Sequence, residues 1–348
     1  MKAGLYLTTQ YPPGSDMVSA FQEQLALVHA ARDRGWDALA TGQHYLSEGM
    51  VQLQLVPFLS RMAAEAGPMA GIAGVLLLAL HNPVEVAEQI ASLDVLWKGN
   101  FVLGVGLGYR KEEFAAFGVP WEARIHRFEE TLALVKRLWT EEAVSAEIGP
   151  CRLDKVSMTS RPVQRPHPPI WIAATSDAGV RRAAALGDSW FVGPHVTLAT
   201  VRRQFALYQA ARLRQGLPVP RHLPILREIF CARDHASAFE TAGPALAAKY
   251  GAYSRWGQDE AVPSEDTFGR PLESLCRDRF IVGAPEECYE ELSRYLTLGL
   301  NIFLFRMHWP GLPVSASLQS LRLLSEEVLP ALRRRDAEVE PGAPTVVV

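Results

Sequence analysis

The hydrophobic and polar positions of the chain follow two patterns that alternate along most of its length. Short apolar runs bounded by glycine, such as Phe101–Leu107, are typical of strands buried on both faces of a parallel sheet. Segments with an apolar residue every three or four positions, such as Phe128, Leu132, Val135 and Trp139, predict amphipathic helices. The first pattern predicts strands over Ala3–Thr8, Trp36–Thr41, Met69–Leu78, Phe101–Leu107, Ile170–Ala174, Ser189–Val192, Ile225–Ala232 and Ile302–Arg306.

Helical patterns lie between these strands, and such alternation predicts a parallel sheet with crossover helices. Eight strand signals favour a (β/α)8 TIM barrel over a doubly wound sheet. A small hairpin is predicted over Ala146–Met158. Helices are predicted from about Phe21 to Gly35, from Pro83 through Trp97, and over Leu53–Glu65, Asp177–Leu186, Thr197–Gln215, Pro285–Leu298 and Ser317–Arg335.

Two segments depart from an ideal barrel. Gly251–Phe280, an insertion between the seventh and eighth strands, is long, polar and interrupted by glycine and proline. Insertions of this kind are often lids or functional loops, and a disordered surface loop is the alternative. The tail Asp336–Val348 is rich in acids and prolines, so we expect it to be poorly ordered. The prediction is therefore one barrel domain over residues 1–335 and a tail over 336–348.

Composition narrows the choice of partners and location. The net charge of −3 and the pI of about 6.3 give no reason to expect a nucleic acid or an anionic membrane as partner. The chain has no signal-peptide pattern and no apolar stretch approaching about 18 residues, so we expect a cytoplasmic protein without a membrane span. Its cysteines are scattered without metal or disulfide spacing, which predicts reduced thiols and no metal site.

Residues at the carboxyl ends of the strands are the candidates for chemistry, because TIM-barrel active sites lie there. His44 follows the second strand and could exchange protons at neutral pH, although a packed or surface histidine is the alternative. Thr175 and Ser176 end the fifth strand and begin a helix. Their hydroxyls and the free amides there could bind an anion, or Ser176 or Asp177 could simply cap the helix.

Two further strand ends are candidates for ligand contact. Gly104, Gly106 and Gly108 would let the backbone approach a flat or bulky ligand, although their spacing is not the Rossmann G-x-G-x-x-G. The eighth strand leads into Met307-His308-Trp309, and such side chains could line an apolar substrate pocket.

Three stretches resemble the bacterial-luciferase-like family of flavin-dependent oxidoreductases, in that family's order. They are LHNPVEVAEQIASLDVLWKGN (80–100), NFVLGVGLGYRKEEFAAFGVPWEARIHRFEETLALVKRLW (100–139) and PPIWIAATSDAGVRRAAALGDSW (168–190). The resemblance covers most of residues 1–335. It implies a barrel in which O2 and reduced FMN, supplied by a separate reductase, oxidise a largely apolar organic substrate, and it implies pairing of barrels into a homodimer.

The resemblance also implies roles for the strand-end residues. His44 would lie beside the flavin or the reacting oxygen, and Gly74–Val75 would form a cis peptide against the isoalloxazine face. Thr175 and Ser176 would bind the cofactor phosphate, with Asp177 pointing away. The other implied cofactor contacts are Gly106, Leu107, Gly108, Tyr109, Ala173, Ala174 and Gly193, and the implied substrate pocket comprises His195, Met307, His308 and Trp309.

The resemblance leaves the cofactor open. Some members carry an arginine where this chain has Leu107, and its absence leaves the phosphate with fewer charge-assisted contacts. Arg110 is a nearby substitute, unless it faces solvent at a helix start. The missing arginine and Gly74 leave room for hydride transfer with the deazaflavin coenzyme used by a sister branch. A flavin-binding barrel without activity is the third alternative.

Overall fold

The computed structural model describes residues 1–338 as a closed barrel of parallel strands surrounded by helices. Each strand pairs with its neighbours in the chain, and β1 also pairs with β8, so the order of the strands around the barrel is their order in the chain. The fold is a (β/α)8 TIM barrel, as the alternation predicted. The barrel strands are β1 (Lys2–Leu7), β2 (Ala38–Thr41), β3 (Ala70–Leu77), β4 (Phe101–Gly106), β5 (Ile170–Ala174), β6 (Ser189–Val192), β7 (Leu223–Cys231) and β8 (Leu300–Arg306).

Helices connect the strands on the outside of the barrel. Several begin at residues that accept hydrogen bonds from free backbone amides, among them Asp16, Asn82 and Asp234. The helices are α1 (Met17–Asp33), α2 (Leu55–Met62), α3 (Pro83–Leu96), α4 (Lys111–Ala116), α5 (Arg124–Thr140), α6 (Asp177–Leu186), α7 (Leu198–Arg214), α8 (His235–Arg255), α9 (Leu272–Cys276), α10 (Pro285–Leu296), α11 (Val314–Leu323) and α12 (Leu329–Glu338).

Shorter elements are attached to the barrel. Val144–Ile148 and Cys151–Val156 form the predicted antiparallel hairpin, and Gln10–Tyr11 pairs with Val51–Gln52 near the barrel mouth. Ile281–Gly283 adds a short parallel strand beside β7. None of the helices within residues 1–338 is long and apolar enough to cross a membrane.

Alternation of side chains along the strands separates two layers of core. Tyr6, Ile72, Phe191 and Leu304 point into the barrel and pack together there. Their neighbours along the strands face the helices and form a larger outer layer. Because successive residues of a strand point to opposite sides, the position of a residue in its strand decides which layer it joins.

The structure differs from the predicted elements in several places, among them the short helices α4 and α9, which were not predicted. Helix α8 continues through the first residues of the predicted insertion, to Arg255, although it contains Pro244. The predicted last helix is interrupted by a π-helical turn at Leu324–Val328 and continues past residue 335 to Glu338. Asp336 accepts a hydrogen bond from Asn301 Nδ2 at 3.2 Å, so the start of the predicted tail is helical and packed. Residues 339–348 of that tail lie outside the described residues.

Candidate functional site

A cavity of about 430 Å³ opens at the carboxyl ends of the strands, and every barrel strand contributes to its wall. Parallel strands in a closed barrel bring their carboxyl ends to the same face, which is why residues distant in sequence meet there. The predicted site residues that border the cavity are His44, Gly74, Val75, Gly106, Leu107, Gly108, Tyr109, Ala173, Ala174, Thr175, Ser176, Gly193 and His195.

One side of the cavity is built from small residues at the ends of β3 to β6. We call it the small-residue wall; it comprises Gly74, Val75, Gly106, Ala173, Ala174 and Gly193. The Gly74–Val75 peptide bond is cis, as the resemblance predicted. A Cβ atom at Gly106 would lie 2.7 Å from Val75 Cγ2, so glycine is required for this close packing. This wall leaves space beside the backbone for a flat ligand.

The hydroxyl groups at the end of β5 make bonds within the protein. Ser176 Oγ accepts from the backbone amide of Gly179 at 3.2 Å and therefore caps α6, as the alternative interpretation held. Thr175 donates its hydroxyl to the carbonyl of Ala261. Asp177 points away from the cavity toward Arg203, at 2.7 Å. The Ser176 hydroxyl keeps its own proton available to donate to a bound anion.

Two arginines that sequence reasoning did not identify border the same cavity as Ser176. Arg182 lies on α6 and pairs with Glu129 at 2.7 Å. Arg124 begins α5, donates to the carbonyl of Trp121 and stacks over its ring at 3.8 Å. They supply positive charge that Leu107 does not. Their helical positions carry no local signal that marks them as ligand contacts.

Arg110 fills neither of the roles considered for it. Its side chain is buried, outside the cavity wall, and donates to the carbonyls of Tyr45 at 2.7 Å and Leu46 at 3.1 Å. It therefore fixes the loop that follows His44. Solvent exposure at a helix start, the commoner arrangement, is excluded here because the loop covers the guanidinium.

His44 is oriented by a buried carboxylate. Glu113 Oε1 lies 3.1 Å from His44 Nδ1 and accepts from the backbone amide of Tyr45 at 2.8 Å. Because an ionised carboxylate only accepts, Nδ1 carries the proton and Nε2 is the ring atom available to a ligand. Sequence reasoning missed Glu113, although its place one helical turn after the glycine-rich end of β4 is a usable signal.

A second part of the cavity wall, at the ends of β1, β6 and β8, is polar and adjoins the small-residue wall at Tyr6 and His195. We call it the polar wall; it comprises Tyr6, Gln10, His195, Tyr253 and Arg306. Tyr253 lies on α8 and donates its hydroxyl to Gln10 Oε1 at 3.2 Å. The Arg306 guanidinium lies over the Tyr6 ring, 5.2 Å from its centre. This side of the cavity favours a ligand with polar groups.

Behind the polar wall, Glu228 joins a network of buried donors. Its carboxylate accepts from Arg306 Nε at 3.0 Å, from Lys249 Nζ at 3.0 Å and from Trp309 Nε1 at 2.6 Å. Burial alone would raise the pKa of Glu228, but Arg306 and Lys249 outweigh it and hold that pKa well below its usual range. Burial, and then Arg306, keep the pKa of Lys249 well below its usual range.

Three buried polar atoms on the cavity wall have no partner among the described residues: Thr8 Oγ1, the Tyr109 hydroxyl and His195 Nδ1. Burial raises the pKa of Tyr109 well above its usual range and lowers that of His195 well below, so both are neutral near pH 7. Buried polar groups are rarely left unpaired, so a ligand in the cavity is expected to supply their partners.

Met307, His308 and Trp309 do not border the cavity, so the predicted apolar pocket wall is wrong. Strand alternation turns Arg306 inward and Met307 outward, into the layer between strands and helices. His308 Nδ1 donates to Ser317 Oγ at 3.0 Å, and Trp309 is held by Glu228. Met307 and Trp309 pack behind the wall together with His308, whose pKa burial lowers to about 4.

Part of the predicted insertion forms the cavity wall. Gly257, Gln258, Glu260 and Ala261 border the cavity, whereas the segment from Ser264 to Cys276 does not. The insertion contacts both edges of the mouth: Trp256 Nε1 donates to the carbonyl of Glu48 at 3.1 Å, and Ala261 accepts from Thr175.

Comparisons with known proteins agree with this architecture. The family model of the luciferase-like monooxygenases matches residues 1–301. An F420-dependent glucose-6-phosphate dehydrogenase of Amycolatopsis mediterranei is 27% identical over 73% of this chain and 76% of its own length. The crystal structure of a monooxygenase from Streptomyces bottropensis is 25% identical, with a TM-score of 0.80, over 95% of this chain and 100% of that one.

A more distant structure shares the fold. It is the oxygenating constituent of 3,6-diketocamphane monooxygenase from Pseudomonas putida, in complex with FMN. It is 18% identical, with a TM-score of 0.75, over 95% of this chain and 98% of that one.

Proposed function

Because the chain belongs to the luciferase-like monooxygenase family, we propose that it is an FMN-dependent monooxygenase of the two-component kind. A separate reductase would supply the reduced flavin, and O2 would be used to oxidise an organic substrate. The observation that carries the proposal is that His44, the small-residue wall, Arg124 and Arg182 border one cavity. The similar monooxygenase from Streptomyces bottropensis supports it.

The residues of the cavity fit FMN. The small-residue wall would take the flat ring, and the glycines at the end of β4 would let the chain pass along the ribityl group. Ser176, Arg124 and Arg182 would hold the phosphate through hydrogen bonds and charge. Reduced FMN, when bound, supplies the electrons with which O2 is activated.

The chain's own contribution to the reaction would be proton control and exclusion of water. His44 Nε2 would donate a proton to, or accept one from, the reacting oxygen while Glu113 holds the ring and stabilises its protonated form. The insertion residues Gly257–Ala261 would act as a lid over the site. A closed site protects reactive species from bulk water.

Hydride transfer with a deazaflavin coenzyme is the second candidate. It is favoured by the similarity to an F420-dependent dehydrogenase and by Leu107, which stands where some family members carry arginine. The same cavity would then orient a substrate for hydride transfer. A barrel that binds flavin without turnover is the remaining alternative.

Anaerobic titration of the full chain with reduced FMN and with reduced deazaflavin coenzyme, followed by admission of O2, separates these candidates. We expect tight binding of reduced FMN and a transient absorbance change after O2 is admitted. His44→Ala should slow the following proton-dependent step by about 10²–10⁴-fold while flavin still binds, because general acid–base catalysis has this magnitude. His126→Ala is the matched control, since His126 is 76% exposed on α5.

Each other outcome points to a different conclusion. Binding of the deazaflavin alone, with no reaction with O2, would support hydride transfer instead. Glucose 6-phosphate and other alcohols would then be tested as substrates. Flavin binding without reaction under any reductant supports a binding protein. Binding of neither cofactor refutes the cofactor assignment.

The proposal extends to a cytoplasmic homodimer paired through early helices. Helix α3 leaves Val95 and Leu96 about half exposed at its carboxyl end, at 54% and 49%. Exposed apolar side chains are typical of protein interfaces. Sedimentation equilibrium of the wild type and of Leu96→Glu tests the pairing: a monomeric wild type would refute it.

A further inference from the structure

We propose that Arg306 is a specificity-determining residue that binds an anionic oxygen of the substrate, a carboxylate or an ionised phenol. The inference rests on the proposed function, because it takes the small-residue wall as the cofactor side and the polar wall as the substrate side. The strand order supports this division, since β7, β8 and β1 are contiguous and lie across the barrel from β3, β4 and β5.

Glu228 occupies one edge of the guanidinium, where Arg306 donates through Nε and Nη2. Nη1 is not used by the carboxylate, and Arg306 borders the cavity. The guanidinium is therefore fixed in place on the cavity wall, with Nη1 not engaged by Glu228. Guanidinium groups held in this way recognise carboxylate and phenolate oxygens well.

The network around Glu228 holds more buried cations than acids. Arg306 and Lys249 are two buried cations, and within the described residues Glu228 is the acid that bonds them. The network therefore holds one positive charge more than its carboxylate balances. Burial is the main cause of the lowered pKa of Lys249, and the neighbouring Arg306 charge lowers that pKa further. An anion bound at Arg306 would balance the surplus.

Polar groups share the cavity wall with Arg306. The Tyr253 hydroxyl donates to Gln10 on the same wall, and His195 Nδ1 borders the cavity without a partner among the described residues. These groups are neutral and polar, so they would receive the rest of a polar substrate but would not by themselves select an anion. Selection by charge is thus assigned to Arg306.

The test uses two pairs of probes that differ in charge and little in shape. Benzoate and benzamide test the carboxylate, and 4-nitrophenol, titrated from its neutral to its ionised form, tests the phenolate through its absorbance. Binding is measured by calorimetry on the full chain, with and without FMN. We expect benzoate, 4-nitrophenolate or both to bind at least tenfold more tightly than the neutral counterpart.

The variants isolate Arg306 from the stability of the network. Arg306→Gln alone leaves Glu228 with one cation fewer, so the decisive variant is Arg306→Gln combined with Glu228→Gln, which removes one charge of each sign. We expect it to lose the preference for the anion while it stays folded and keeps a flavin affinity close to wild type; its melting temperature should fall, because Lys249 loses its carboxylate. Arg322→Gln, an exposed arginine on α11, is the matched control and should keep the preference.

The outcomes separate this inference from the proposed function. A preference for one probe class alone identifies the anionic group and supports the role of Arg306. Equal binding of charged and neutral probes to the wild type, or a preference that survives in the double variant, refutes it. Failure of flavin to bind any of these proteins refutes the proposed function instead, whatever the preference among the probes.

Discussion

The two sides of the cavity are shaped by opposite means. The small-residue wall gains its form from side chains that are absent: glycine and alanine let the backbone of β3 to β6 come close to a ligand. The polar wall gains its form from large polar side chains, of which Arg306 is charged and held from behind by Glu228. The first side recognises shape through backbone, and the second recognises chemistry through side chains. Substitutions on the two sides should therefore have different effects on ligand binding and stability.

The largest effect is expected on the polar side, from Glu228→Ala. The substitution leaves Arg306 and Lys249 buried beside each other without their carboxylate, and removing one partner of a buried ion pair costs about 3–5 kcal/mol. Urea unfolding measures the loss. Glu326→Ala is the control. The Glu326 side chain, which pairs with Arg322, is 51% exposed, and exposed ion pairs contribute about 0–1 kcal/mol. Equal losses in the two variants would contradict the network.

On the small-residue side, Gly193→Leu should weaken flavin binding by about a hundredfold with little change in stability. A Cβ atom at Gly193 has no neighbour nearer than 3.7 Å, so a side chain fits the fold but occupies the cavity. Fluorescence titration with FMN measures the affinity. Gly269→Leu, at an open position outside the cavity wall, should bind flavin as the wild type does. Unchanged affinity in Gly193→Leu would place the flavin elsewhere.

A smaller effect is expected behind the polar wall, from His308→Gln. The folded pKa of His308, about 4, lies below its usual value of 6.5, so the unfolded chain binds the proton first as the pH falls. The stabilisation is therefore present above pH 6.5 and is lost as the pH falls toward 4. Protonation of His308 in the unfolded chain therefore accounts for up to about 2 kcal/mol of the stability lost between pH 7 and pH 5.

Urea unfolding at both pH values checks this difference. The His308→Gln protein should lose less stability than the wild type between pH 7 and 5, and its flavin affinity should stay unchanged because residue 308 lies outside the cavity wall. His126→Gln should retain the wild-type pH dependence, since that histidine is exposed. A large change in flavin affinity would indicate that His308 contacts the bound ligand.

The fold was predictable from the sequence because its signals are local. Buried parallel strands and amphipathic helices carry their periods within about ten residues, so each barrel strand was located from its own segment. His44 and the small-residue wall were located because they follow directly from those strand ends. The last helix was predicted to end at Arg335, whereas the chain is still helical at Glu338, the last described residue; helix boundaries depend on packing that the pattern does not contain.

The electrostatic part of the site was not predictable in the same way. Glu113 bonds His44 across 69 residues, and Glu228 bonds Arg306 across 78. The place of Glu113 after the glycine-rich end of β4 could mark it as a candidate, but no local pattern identifies the partner of either acid, because only the closed barrel brings the partners together. Met307 and Trp309 were misplaced for a different reason: their position at a strand end was correct, but the alternation along β8 turns Arg306, not Met307, into the cavity.

The connection between β7 and β8 has a consequence for how such a protein can diversify. Tyr253 and Gly257–Ala261 belong to this connection and not to any barrel strand, yet they complete the cavity wall. Changes of length or sequence there would reshape what is recognised without altering the register of a single strand. New substrates can therefore be acquired through one loop while the site for the flat ligand is inherited intact with the barrel.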